Sequence, residues 1–266
     1  MTEITVIVGT YNHLFYLQLC LLSLERQTFK NFEVIIADDG SGPEIGDWLK
    51  SYSADYPVKH LWQENKGFRK CRILNNSIHH SKSDYIVFID ADCILSKDFL
   101  REHWRYHEKG AFLGGRRVLI KKEVAEIITS EVVQKGLFDG ISFWGTYQVL
   151  CGNIKYYEEA LRPLYYFRKN SFFNLMGCNF SIHKSDLLSV RGFDEEYESR
   201  GGGEDTDISM RLKAVGCRMK SVRYRAVQFH LGHGIPEDKS ISAKMFSEKK
   251  KMIKTSADAK KIISSL

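Results

Sequence analysis

The chain lacks several features that would have settled its class at once. Its six cysteines (Cys20, Cys71, Cys93, Cys151, Cys178 and Cys217) include no Cys-x-x-Cys pair. A disulfide framework and a structural zinc site therefore lose ground to reduced thiols. No stretch approaches the roughly eighteen uninterrupted apolar residues of a membrane span. Met1-Thr2-Glu3-Ile4-Thr5-Val6 runs straight into a strand with no basic-then-apolar leader, so the expectation is a soluble, cytoplasmic protein. Internal repeats, low-complexity segments, recognition helices and zinc fingers are likewise missing. Charge of one sign is scarce too. The 39 Lys and Arg against 33 Asp and Glu leave +6, enough for an anionic ligand or an anionic membrane surface and too little to argue for nucleic acid.

What is present is an ordinary globular composition, 43% hydrophobic and 27% charged, over 266 residues. That length suits one α/β domain with an appended lobe. The first hundred residues alternate strand and helix. Ile4 to Val8, Phe32 to Ala37, Val58 to Trp62 and Tyr85 to Ile89 read as strands. Leu14 to Arg26, Glu44 to Tyr52 and Lys70 to His80 read as helices. Right-handed crossovers then predict a mainly parallel, doubly wound, Rossmann-like sheet. The alternation is lost after Leu119. Val124 to Lys135 reads as a helix, and Phe138 to Arg168 mixes Tyr, Phe and Trp with basic residues. That stretch suits packing over the sheet, or else an acceptor-binding or membrane-facing surface. Lys244 to Leu266 reads as a basic helix carrying Lys249, Lys250, Lys251, Lys254, Lys260 and Lys261, either a solvated face or a contact with the inner membrane surface.

The segment richest in chemistry is Asp90-Ala91-Asp92, directly after the buried run Tyr85-Ile86-Val87-Phe88-Ile89. It delivers two carboxylates to the carboxyl edge of a sheet, where open α/β folds bind ligands. A close carboxylate pair suits a hard divalent cation, and such a cation commonly bridges nucleotide phosphates. A plain turn would also use Asp. Thr10-Tyr11 after the first strand and Asp39 after the second converge on the same edge. There an aromatic face can stack on a base and a carboxylate can accept its N–H. Asn65-Lys66-Gly67-Phe68-Arg69-Lys70-Cys71-Arg72 opens a helix with four cations, either a surface turn or a pyrophosphate site. Gly201-Gly202-Gly203-Glu204-Asp205-Thr206-Asp207 places carboxylates at a helix start, where they also serve as simple capping groups. Phe229-His230-Leu231-Gly232-His233 offers two histidines after a late strand as candidates for a further metal ligand.

In this order, Thr10-Tyr11-Asn12, Asp38-Asp39-Gly40-Ser41 and Asp90-Ala91-Asp92 resemble the nucleotide-binding half of a family 2 glycosyltransferase of GT-A fold. Residues 177–212, with Gly192-Phe193-Asp194 and Glu204-Asp205-Thr206-Asp207, resemble a galactosyltransferase-type module. The resemblance implies a nucleotide-sugar half over 1–115, an acceptor-binding and catalytic half over 116–243, and the basic helix over 244–266. It implies that Thr10, Tyr11 and Asp39 hold the nucleotide base and that Asp90, with Ala91 beside it, meets the ribose or metal region. Asp92 would ligate Mn²⁺ or Mg²⁺ on the diphosphate, with Arg72 on the pyrophosphate side. Asp205 would be the general base, Glu204 would orient the acceptor, and His233, in preference to His230, would complete the metal site. The implied donor is UDP-galactose, UDP-N-acetylgalactosamine or UDP-glucose, and the acceptor a glycan or lipid-linked sugar of bacterial lipopolysaccharide or capsule. The Glu-Asp pair implies inversion.

Gly201 stands where the family usually carries a Trp that stacks on the acceptor, so the acceptor platform is left open. The alternatives are a nucleotidyltransferase, for which Gly9-Thr10-Tyr11-Asn12 lacks the glycine-rich phosphate loop, and a non-catalytic nucleotide- or carbohydrate-binding protein on the same fold.

Overall fold

A computed structural model describes residues 2–168, 174–199, 203–233, 244, 246–249, 251 and 256–266. The β-branched runs of the first half form β1 (Ile4–Thr10), β2 (Phe32–Asp38), β3 (Val58–Trp62) and β4 (Tyr85–Asp90). Between them lie α1 (Leu14–Glu25), α2 (Pro43–Ser51) and α3 (Lys70–His80). Every residue of β1 and β2 is buried, as expected of strands covered by helices on both faces. Their side chains alternate between two cores. Val6 and Val8 pack with Leu17 and Leu21 of α1, whereas Ile7 packs with Ile73 and Leu74 of α3.

Three later strands extend this sheet: β6 (Ala111–Gly114), β9 (Phe180–His183) and β10 (Arg218–Ser221), with α4 (Phe99–Tyr106) leading into β6 and α9 (Lys184–Ser189) following β9. The order is β10-β6-β9-β4-β1-β2-β3, and β9 alone runs antiparallel to its neighbours. The mainly parallel, doubly wound expectation is therefore met. The chain steps outward from β1 to β2 and β3, then returns to place β4 on the other side of β1. This reversal opens a crevice at the carboxyl ends of β1 and β4, the place where such sheets accept ligands.

A second sheet was not foreseen. It orders β5 (Cys93–Leu95), β11 (Gln228–Leu231), β7 (Val118–Ile120) and β8 (Ile154–Lys155). These strands are two to four residues long, too short for a periodic signal, and β11 pairs with β5 and β7 across more than a hundred residues. Ile94, Val118, Ile120, Phe138 and Phe229 form its core. Because β5 follows Asp92 and β11 contains His230, this small sheet brings the two together.

The single helix expected over Val124 to Lys135 is instead two, α5 (Lys122–Ala125) and α6 (Ser130–Gln134). Thr129 is extended (φ −99, ψ 161), and its hydroxyl accepts a hydrogen bond from the Val132 N–H. That local cap competes with a continuous helix. The aromatic stretch divides as well. Phe138 is fully buried, whereas Phe143, on α7 (Phe143–Leu150), is 91% exposed, and Phe167, on α8 (Leu164–Arg168), is 85% exposed. In the tail, residues 246–249 and the stretch Ser256–Ser265 are helical. Ile262 and Ile263 are buried, and Lys249 pairs with Asp194 and, at 2.8 Å, with Glu196. Lys249 is thus spent on the protein itself, and Lys250 and Lys254 lie outside the described residues. No described helix is long and apolar enough to cross a membrane.

One buried ion pair holds the helix that begins at Glu204. In α10 (Glu204–Ala214), the fully buried Arg211 donates from Nε to Asp207 Oδ2 at 2.8 Å. Its Nη1 donates to the carbonyls of Val190 and Gly192 at 2.6 and 2.8 Å. Arg211→Leu would leave Asp207 buried and uncompensated, and is expected to cost about 3–5 kcal/mol of stability. The urea-unfolding midpoint measures it, and an unchanged midpoint would mean that the pair is not structural.

Candidate active site

The crevice between β1 and β4 widens into a cleft of about 530 Å³. Thr10, Tyr11, Asp39, Asp90, Ala91, Asp92, Glu204, Asp205, His230 and His233 all line it. Arg72 does not. It is exposed on α3 and borders a separate hollow with Glu195, Glu196 and Glu198. Lys70 and Arg72 are two positions apart on one helix and so face different ways. It is Lys70 that enters the cleft, its Nζ lying 2.5 Å from Asp90 Oδ1. Residues 200–202, including Gly201 at the usual Trp position, lie outside the described residues.

At one end of the cleft the turns after β1 and β2 are tied together. Asn12 and His13 both adopt left-handed backbone (φ 51 and 78), a costly conformation for non-glycine residues that tends to mark functional loops. The Asn12 N–H donates to Ser41 Oγ at 2.7 Å, and the Gly42 N–H donates to Asn12 Oδ1 at 3.2 Å. Asp39 is held by Gln63 Nε2 at 2.6 Å and by the Arg69 N–H at 2.8 Å. Burial still raises its carboxyl above the usual range. Asn65 Nδ2 donates to the Tyr11 hydroxyl at 2.9 Å. The Thr10 hydroxyl is buried with no hydrogen-bond partner among the described residues, a vacancy that a polar ligand could fill.

At the centre, Asp92 meets both histidines. His230 Nε2 and His233 Nε2 each lie 3.3 Å from Asp92 Oδ2, and the three donor groups fall within 4.8 Å of one another. The resemblance favoured His233 over His230 by a narrow margin; the geometry brings both to Asp92. Gly232 makes this possible. Its N–H donates to the Ile120 carbonyl at 2.9 Å, and a Cβ there would lie 2.7 Å from that same oxygen. The Leu231 N–H donates to the Asp92 carbonyl at 2.8 Å, and the Tyr16 hydroxyl donates to the Gly232 carbonyl at 3.0 Å, pinning the turn. Burial pushes the Asp92 carboxyl up, but His230 and His233 outweigh it and bring it down to about 2. Burial lowers His230, against the pull of Asp92, and so favours the neutral ring. One carboxylate and two imidazoles suit a first-row transition-metal dication, Mn²⁺ included, better than Mg²⁺, which is held almost entirely by oxygen.

Opposite stands Asp205, one residue into α10. Burial and the neighbouring Glu204 raise its carboxyl to about 7, against the opposing pull of Lys70 and the Gly177 N–H. A Cβ on Gly177 would lie 2.3 Å from Asp205 Oδ1, so only glycine lets the backbone approach this carboxylate so closely. Lys70 is kept charged because Asp90, Asp205 and Glu204 together outweigh the effect of burial. Such a cleft can neutralise an anion at its centre and take a proton at its rim. Sequence reasoning offered Lys70 only as one of four cations in the 65–72 run, and it missed Gly177 as a site residue and also Arg117, which lines the cleft from the segment after β6. Position at a helix start was the only sequence signal for Lys70; the other two carried none.

Comparison with known proteins follows the same lines. The family model for Glycosyl transferase family 2 matches residues 5–182. The chain belongs to glycosyltransferase family 2. A second family model, described as the N-terminal domain of galactosyltransferase, matches residues 164–233 of this family 2 chain. It is 35% identical over 267 residues to the uncharacterized glycosyltransferase YfnE of Bacillus subtilis, covering 86% of this chain and 64% of that protein. It is 23% identical over 239 residues to a chondroitin synthase of Escherichia coli, covering 85% of this chain and 34% of that protein. The chain therefore spans between about a third and two thirds of these relatives. Among solved structures, S. aureus TarS 1-349 with UDP-GlcNAc aligns with a TM-score of 0.60 at 18% identity, over 88% of this chain and 60% of that one. The mannosyltransferase PcManGT from Pyrobaculum calidifontis, with GDP-Man and Mn²⁺, aligns at 0.57 and 16% identity, over 93% and 61%. The fold is GT-A.

Proposed function

We propose that this chain is a metal-dependent, inverting glycosyltransferase. It moves a hexose from a UDP-sugar (galactose, N-acetylgalactosamine or glucose) to a hydroxyl of a glycan or lipid-linked acceptor in bacterial surface polysaccharide synthesis. The observation that carries this reading is the meeting, in one cleft, of the Asp92–His230–His233 donor set with a half-buried Asp205 whose carboxyl is raised to about 7. A cation held by Asp92, His230 and His233 would supply charge neutralisation at the donor diphosphate. Tyr11 and Asp39 would receive the base, with Thr10 Oγ1 as a further polar partner, and Asp90 would lie towards the ribose.

Asp205 would accept the proton of the acceptor hydroxyl as that oxygen bonds to the anomeric carbon and the bond to the diphosphate breaks. A base whose ordinary value has been moved to about 7 is matched to this task near neutral pH. One displacement from the face opposite the leaving group inverts the anomeric centre. Glu204, next to Asp205 on the cleft wall, would orient the acceptor. The cytoplasmic setting and the peripheral contact with the inner membrane surface belong to the same reading, since a lipid-linked acceptor would be met there.

Isothermal titration with UDP and GDP, each with and without Mn²⁺, tests the donor side. Metal-dependent binding of UDP alone is the expected result. Preference for GDP would redirect the donor to mannose- or fucose-type sugars, and no binding of either would remove the catalytic reading. An α-linked product from a UDP-α-sugar, read from NMR anomeric couplings, would reject inversion.

A further inference from the structure

We infer that Arg117 binds the donor's diphosphate and takes up the charge released on it as the sugar departs. This rests on the nucleotide-sugar reading above. Four observations lead there. Arg117 lines the same cleft as Asp92, His230 and His233. Its guanidinium has no carboxylate within ion-pair distance among the described residues; its hydrogen bond is from Nη1 to the Cys178 sulfur at 3.8 Å, and its buried Nε has none. A thiol is a weak acceptor, so this always-protonated group is left short of acceptors, and the pull of Asp90 reaches it only from beyond ion-pair distance. The other cation in the cleft, Lys70, is already committed to Asp90 at 2.5 Å. Arg72, the arginine that sequence alone offered, faces Glu195, Glu196 and Glu198 in the separate hollow.

The backbone that carries Arg117 is clamped. The Gly115 N–H donates to the Asn179 carbonyl at 2.9 Å, and Asn179 Nδ2 donates to the Arg116 carbonyl at 2.9 Å and to the Ala226 carbonyl at 3.0 Å. Asn179 Oδ1 in turn faces His103 Nε2 at 3.0 Å, inside the core. Cys178 is held from the other side by Gln228 Nε2 at 3.2 Å. The guanidinium is therefore presented by a fixed turn rather than by a free loop, as stabilisation of developing charge requires. When the bond between the anomeric carbon and the diphosphate oxygen breaks, the electron pair leaves with that oxygen. Arg117 meets it with N–H donors and keeps its own protons.

The test compares UDP with UMP by titration in the presence of Mn²⁺, because only UDP carries the outer phosphate. For R117Q, UDP affinity is expected to fall about 10- to 100-fold while UMP affinity stays within about twofold, the scale of charge-assisted hydrogen bonds to one phosphate. R117K is expected to fall between, since an ammonium keeps the charge and loses the planar fork. Its thermal melt and its UMP binding serve as the folding control if R117Q does not fold. Equal weakening of UDP and UMP, or no change in either, overturns the inference. A defect confined to the acceptor's KM also overturns it, assigning Arg117 to an anionic group of the acceptor. Failure of the wild-type chain to bind any nucleotide would instead refute the nucleotide-sugar reading itself; preference for GDP would move the same comparison to GDP and GMP.

Discussion

Asp205→Asn is expected to lower sugar transfer by about two to four orders of magnitude, the usual contribution of a positioned general base. UDP affinity in the presence of Mn²⁺ should be nearly unchanged. The amide keeps an oxygen for the Gly177 N–H but can take no proton from the acceptor. Comparable loss of nucleotide binding would make Asp205 structural or a ligand instead. The pH dependence follows from the position of the carboxyl at about 7. Transfer by the wild-type chain should rise through pH 7 as Asp205 ionises and fall on the acid side as it takes a proton. Glu204→Gln removes the neighbouring negative charge, so that acid limb should move to lower pH.

Stability should respond in the opposite sense. A carboxyl raised above its unfolded value of about 4 favours the folded state while it carries its proton, and this advantage is lost as pH rises through about 7. Asp205→Asn should therefore melt higher than wild type at pH 8, by about 1–2 kcal/mol of added stability, with the difference closing towards pH 4. An inactive variant that is more stable only at alkaline pH would be hard to explain by misfolding. Equal melting at pH 8 would mean that the Asp205 charge is not disfavoured.

The second large effect is expected at the centre of the cleft. Asp92→Ala removes the one carboxylate of the donor set and leaves two imidazoles that share no anion. Removing groups that merely support a metal ligand already costs about 10- to 100-fold in affinity, so loss of a ligand should cost at least about 100-fold for Mn²⁺. UDP binding should then become insensitive to Mn²⁺, and transfer should fall to the level of a chelator-treated wild type. Both His230→Ala and His233→Ala should weaken Mn²⁺ as well, because each ring lies 3.3 Å from Asp92 Oδ2. Unchanged Mn²⁺ affinity in His230→Ala would leave Asp92 and His233 as the ligands. Unchanged UDP binding and transfer in Asp92→Ala would end the metal-dependent reading.

Much of this was legible in the residues. Buried β-branched runs that each end in Thr10, Asp39 or Asp90 announce strands, and the alternation with helices fixes their sense, because a right-handed crossover makes neighbours parallel. The carboxyl-edge residues of those strands share one cleft for the same reason: strand ends in register are neighbours in space. The Glu204-Asp205 pair faces the cleft as well.

The remainder was illegible for identifiable reasons. Arg72 and Lys70 look equivalent in a basic run, but the helical turn sends one to solvent and the other to Asp90. Arg117 sits in a tract, Gly114-Gly115-Arg116-Arg117, where neither spacing nor period says which arginine turns inward. Thr129 divides an apolar stretch that reads as one helix, since a hydroxyl cap is a local choice that average periodicity does not register.

Local patterning by itself thus determined the α/β class and the nucleotide-side strand ends, because these depend on period and order along the chain; Glu204 and Asp205 were indicated by the family resemblance. Tertiary structure alone decided that both histidines, rather than one, reach Asp92, that Lys70 and Arg117 are the cleft's cations, and that Asp205 is raised to about 7. The first depends on short strands pairing across more than a hundred residues, and the others on the packing of charge among neighbours from separate elements. Such pairing and burial are properties of the folded packing, and no window along the chain contains them.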